Sequence, residues 1–152
     1  MSAPAPRCQN LVLVKENSVF GVRAAALWGY TWCEELAGRS HVVLPEGGTE
    51  LDLRSVYSAT TPRVELVPSI PGTLWQPADS GVHHLGYWSD DVAADSAALV
   101  RRGHPCEALG VRPDGTAHWA FHRGPQGPRI ELVTRALQPV LERVWAAGGQ
   151  PS

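Results

Sequence analysis

Apolar and polar positions change period several times along the chain, and each change marks an element. "NLVLV" (10–14) is a short β-branched run and predicts a strand. "SVFGVRAAALWGYTW" (18–32) has apolar residues at helical spacing, with Ser18 placed to cap, and predicts a helix. "HVVL" (41–44) and "ELDLRSVYS" (50–58) alternate on either side of "PEGG", the pattern of a hairpin, and "RVELV" (63–67) is the next strand. Pro, Gly and Ser crowd the stretch that follows, "PSIPGTLWQPADSG" (68–81), which reads as a long loop.

The order then repeats. "HHLGYW" (83–88) predicts a strand, and "SDDVAADSAALVRRG" (89–103) a helix. Asp90 or Asp91 is its cap, arginines fill its last turn and Gly103 stands just beyond. "CEALGVR" (106–112) and "AHWAFHR" (117–123) flank the turn "PDG", and "RIELV" (129–133) closes the series. A last helix, "LQPVLERVWAA" (137–147), tolerates Pro139 only in its first turn. The chain is thus an α+β protein of one domain built from two βαβββ modules, about 8–68 and 82–135. A linker of about 69–81 joins them and a helix of about 137–147 follows. Repeated units that cannot bury their faces alone pack on each other.

The repeat is also literal. "PRVELV" (62–67) returns as "PRIELV" (128–133), so Glu65 and Glu131 each stand in the middle of an apolar strand. Strand residues alternate faces, so both carboxylates point away from the Val64, Leu66, Ile130 and Leu132 side. If that apolar side packs against the helices, the carboxylates face the concave side of the sheet. A carboxylate there is costly unless it is paired, hydrated or bound to a cation; a solvated polar face is the plainer alternative.

Composition narrows the classes. Of 152 residues, 43% are hydrophobic and 18% charged, an ordinary globular balance, and the net charge of −2 offers no basic field for nucleic acid or an anionic membrane. No apolar run is long enough to span a membrane and the start does not read as a signal peptide, so a cytoplasmic location is expected. Cys8, Cys33 and Cys106 form no CxxC pair and read as reduced thiols. There is no P-loop or dinucleotide fingerprint, hence no nucleotide cofactor.

"VHHLGYWSDDVAADSAALVRRG", the two "R(V/I)ELV" strands and "VYSATTPRVELVPSIPGTLW" together resemble the vicinal oxygen chelate superfamily of glyoxalases, bleomycin-resistance proteins and extradiol dioxygenases, in a glyoxalase-like subgroup near methylmalonyl-CoA epimerase. The resemblance covers about residues 10–135. It implies a curved mixed sheet around a shared cavity, a small-molecule substrate and a homodimer. It also implies a metal ligand in the first strand of each module and another in the last: His84 with Glu131, and Asn10 with Glu65. Asn10 departs from the histidine usual there.

One imidazole with two carboxylates suits Mn, Fe, Co, Ni or Zn as a divalent ion. The leading expectation is a metal-dependent isomerase, epimerase or lyase that works through an enolate, with Glu65 and Glu131 moving protons, in specialised metabolism. The alternative is a metal-free protein that sequesters an antibiotic or other metabolite, and a non-haem iron oxygenase ranks below both. Tyr57 offers a phenol donor, or is simply a buried ring. His118 and His122 share a strand face and bind substrate if that face lines the cavity; otherwise they are ordinary hydrogen-bonded histidines. Trp75, Trp88 and Trp119 provide aromatic walls for a flat ligand, or pack between helix and sheet.

Overall fold

The computed structural model describes residues 30–61 and 63–148, together with the backbone of 8–15. The strands are β1 (Cys8–Lys15), β2 (Leu36–Leu44), β3 (Gly47–Tyr57), β4 (Arg63–Pro68), β5 (His84–Ser89), β6 (Cys106–Val111), β7 (Ala117–His122) and β8 (Arg129–Thr134). Helix α1 (Val92–Arg101) lies between β5 and β6, and helix α2 (Gln138–Ala147) follows one 3₁₀ turn at Arg135–Leu137. Most of the helix predicted over 18–32 lies outside the described residues. Its end does not fit: Trp32 is extended and pairs with Ser58.

The strands close on themselves in the order β1-β4-β3-β2-β6-β7-β8-β5. Each module repeats one pattern, its first strand parallel to its last (β1 with β4, β5 with β8) and the remaining neighbours antiparallel. The modules meet along β1–β5 and β2–β6, both antiparallel and both within this one chain. The register preserves the duplication. Asn10 pairs with Arg63 and Val12 with Glu65; His84 pairs with Arg129 and Gly86 with Glu131. β2 begins five residues before the predicted strand because its nine-residue ladder with β3 carries it, although "AGR" within it is exposed and has no apolar alternation.

Local chemistry explains the ends of α1. The Asp91 carboxylate accepts the Ala94 N–H at 3.0 Å. At the other end Gly103, at φ 85°, turns the chain so that His104 N–H reaches the Leu99 carbonyl and Gly103 N–H the Val100 carbonyl. Val92 and Leu99 of this helix cover Ala120, Ile130 and Leu132 on the outside of the second module. On the outside of the first, Tyr30 and Trp32 pack on Val56, Val64 and Leu66. The insides of both modules face each other. There Val42, Val67, Ala108, Trp119 and Phe121 meet Trp75, which the inter-module loop inserts between them.

Candidate metal centre

With Val64, Leu66 and Leu132 committed to the outer layers, strand alternation turns Glu65 and Glu131 inward. β5 brings His84 to the same place. One donor atom from each of the three lies within 4.8 Å of the others. His84 Nε2 is 3.1 Å from Glu131 Oε2 and 3.9 Å from Glu65 Oε2. The group sits in a cavity of about 260 Å³ between the modules, with Tyr57, Trp75, Trp119 and Phe121 in its walls. His84 is 1% exposed and Glu65 7%.

Burial decides the charges. It pushes Glu131 up to about 8. Glu65 rises to about 7 through burial first and the Glu131 charge second, opposed by His84 and by hydrogen bonds from Ser55 and Tyr57. Burial also carries His84 down to about 4. The arginines of the repeated motif do not neutralise the carboxylates: Arg129 pairs with Glu107, and Arg63 donates to the carbonyls of Ser58 and Ala59 while lying over the Trp145 ring. Among the described residues, the buried Glu65 carboxyl, the largely buried Glu131 carboxyl and the neutral His84 imidazole converge with no lysine or arginine paired to them, a donor set that fits a divalent ion.

The other candidate residues divide. Tyr57 lies in the cavity against Glu65, and its hydroxyl is held well above its ordinary range by burial and by the two carboxylates. Trp75 and Trp119 form a wall, in edge contact with each other at 5.9 Å. Gly110 makes room for Trp119; a Cβ there would lie 2.2 Å from the indole Cε2. His118 is at the rim, where the ladder shifts between Gly110 and Val111, and its Nδ1 accepts from Arg112 Nε at 2.9 Å.

Trp88 and His122 are corrected. Trp88 shares the His84 side of β5 but packs in the cluster of Cys33, Tyr57 and Trp145 rather than on the cavity. His122 faces α1: it is fully buried, its Nε2 accepts from Ser96 Oγ and its Nδ1 bonds the His104 carbonyl, both at 2.9 Å. The reason is alternation along β7, where Trp119 and Phe121 take the inner face. Asn10 is placed by register alone, at the first-module position that His84 holds in the second.

Two further residues have roles at the site that the sequence alone did not assign. Ser55 hydrogen-bonds Glu65. His83 lies behind His84, with its Nδ1 2.7 Å from His84 Nδ1 and its Nε2 2.8 Å from the Leu74 carbonyl. The doubled "HH" was a visible signal for the second of these; nothing in the sequence marked the first.

The profile of the Glyoxalase/Bleomycin resistance protein/Dioxygenase superfamily matches residues 22–122. The chain belongs to this superfamily. Among solved structures this glyoxalase-superfamily chain is similar to a mutant of 4-hydroxymandelate synthase from Streptomyces coelicolor, at 13% identity and a TM-score of 0.48 over 88% of this chain and 50% of that one. It thus spans about half the length of the synthase chain. No curated protein matches it in sequence. No helix among the described residues is long and apolar enough to cross a membrane.

Proposed function

We propose that the chain is a metal-dependent enzyme of the enolate type, an isomerase, epimerase or lyase for a small oxygen-rich substrate. The observation that carries this is the convergence of Glu65, His84 and Glu131 on one point of the inter-module cavity. His84 Nε2 and one oxygen from each carboxylate would hold the ion, with Asn10 at the fourth protein position. A divalent ion bound there would act as a Lewis acid on a substrate carbonyl.

The chain's own groups supply the rest. Glu65 and Glu131 come from different modules and reach the cavity from different strands. Without a metal their carboxyls are raised to about 7 and about 8; a bound divalent ion would lower both, and each would then be a carboxylate able to take a proton from substrate. That arrangement suits removal of a proton beside a carbonyl by one carboxylate and its return by the other, the requirement of an epimerase. Tyr57 remains a neutral phenol next to Glu65 and can donate to a developing oxyanion. Trp75, Trp119 and Phe121 give the ligand apolar walls and keep water away from the carboxylates. All three side chains of the donor set come from one chain.

A second reading, a metal-free binding protein, draws on the same aromatic walls and on Asn10 in place of an imidazole. The metal content of protein purified without chelator, compared between wild type and His84→Ala, separates the two. Stoichiometric metal in the wild type and its loss in the variant supports the enzyme. A metal-free wild type that binds a planar aromatic ligand tightly sinks it. Deuterium exchange from solvent into 2-oxo or 1,3-dicarbonyl compounds then tests the enolate step.

A further inference from the structure

His83 is 1% exposed, adjoins the donor set and is not part of it. Its two ring nitrogens are both engaged, and the partners fix where the protons lie. The Leu74 carbonyl can only accept, so the His83 Nε2 at 2.8 Å carries a hydrogen. None of the hydrogen bonds to this buried ring comes from a carboxylate, so it is neutral and its Nδ1 presents a lone pair. His84 Nδ1 stands 2.7 Å from that lone pair. Two lone pairs at this separation repel, so His84 Nδ1 carries the hydrogen and donates it. A neutral imidazole has one N–H, which leaves His84 Nε2 bare; Nε2 faces Glu65 Oε2 at 3.9 Å and Glu131 Oε2 at 3.1 Å, and in the absence of a cation the Glu131 carboxyl is the partner that carries the hydrogen in that contact.

We infer that His83 is a positioning residue: anchored on the Leu74 carbonyl, it holds His84 in the one tautomer that offers its Nε2 lone pair to a cation between Glu65 and Glu131. The purpose of the relay rests on the metal-centre reading above; its geometry does not.

The anchor itself is fixed. Leu74 belongs to the inter-module loop, where Ile70 N–H donates to the Trp75 carbonyl at 2.9 Å and Thr73 Oγ1 accepts Trp75 N–H at 3.2 Å. Trp75 is buried edge-on against Trp119 and Phe121, at 5.9 and 5.6 Å between ring centres. The loop that walls the cavity therefore also sets the proton on the candidate ligand. Outer partners of this kind orient a ligating imidazole, and their loss typically costs about 10- to 100-fold in metal affinity.

The test has two readouts. In metal-free wild-type protein, long-range ¹H–¹⁵N spectra of the imidazoles should show His84 protonated on Nδ1 and His83 on Nε2. Titration with Co²⁺ should show His83→Phe, which keeps the ring and removes the acceptor, binding roughly 10- to 100-fold more weakly. His83→Asn, whose amide oxygen can stand where Nδ1 was, should recover most of the loss. Wild-type His84 protonated on Nε2, or folded His83→Phe with wild-type Co²⁺ affinity, would overturn the relay. If wild-type protein takes up no Co²⁺, the metal reading fails, and the tautomers alone then uphold or overturn the relay. They do the same should His83→Phe not fold.

Discussion

Asn10 and His84 hold the same position in the two modules, each paired with the arginine that stands two residues before a glutamate, Arg63 in one case and Arg129 in the other. The duplication is therefore intact in its backbone register and broken in its chemistry at one residue. An amide oxygen is a weaker ligand than an imidazole for a borderline divalent ion. Asn10→His is expected to restore the symmetry and to tighten Co²⁺ binding by roughly tenfold or more, about 1.4 kcal/mol. Calorimetric titration of the variant against wild type checks this, and unchanged affinity would remove Asn10 from the donor set.

The centre makes metal-free stability depend on pH. Glu65 and Glu131 hold their protons more tightly folded than unfolded, at about 7 and about 8 against an ordinary 4.5. Their contribution is whole below 4.5 and is lost as pH rises through those values. His83 and His84 run the other way: pushed down to about 4, they contribute above 6.5 and lose that contribution as pH falls. Between pH 6.5 and 8 the carboxyls act without opposition from the histidines. Urea unfolding of chelator-treated protein should show a fall on the order of 1–3 kcal/mol across that window. Glu131→Gln should flatten it. Metal binding at pH 6.5 should release protons to the buffer.

Gly110 is a packing requirement rather than a conformational one, since its neighbour Trp119 occupies the space of any Cβ, down to 2.2 Å. Gly110→Ala should displace the indole and lower stability by about 1–3 kcal/mol, with a shift in tryptophan near-ultraviolet dichroism. An unchanged spectrum and midpoint would show that the ring moves at no cost.

Ser58 secures the strand that carries Glu65. It is fully buried, its hydroxyl accepts Val64 N–H at 2.8 Å and donates to the Thr60 carbonyl at 3.0 Å. Ser58→Ala leaves both partners without that hydroxyl, and a loss of about 1–3 kcal/mol is expected in denaturant unfolding. If the Glu65 strand depends on this anchor, Co²⁺ affinity falls as well; loss of stability alone would confine Ser58 to the fold.

Local pattern made much of this legible. Period-2 alternation placed β4, β5, β7 and β8, and "DDVAADSAALVRRG" wrote the cap, charges and stop of α1 into consecutive residues. Alternation also fixed that Glu65 points opposite to Val64 and Leu66. It left open which side was inside, a question settled by the aromatic rings that cover the outer face. His122 shows the limit: even spacing tied it to His118, yet the ladder shift near Val111 let His118 reach the rim while His122 turned to Ser96.

The sequence by itself determined the duplicated modules and the two carboxylates, because hydrophobic periodicity and a repeated motif are properties of neighbours along the chain. Only the tertiary structure decided that Glu65, His84 and Glu131 meet, since they lie on three strands brought together by long-range pairing. It also decided that Trp75 is a wall, Trp88 is not, and His83 stands behind the candidate ligand. Those outcomes depend on where a loop without periodicity comes to rest. Its position is set by the Trp119 and Phe121 rings it meets and by the His83 imidazole that bonds its Leu74 carbonyl.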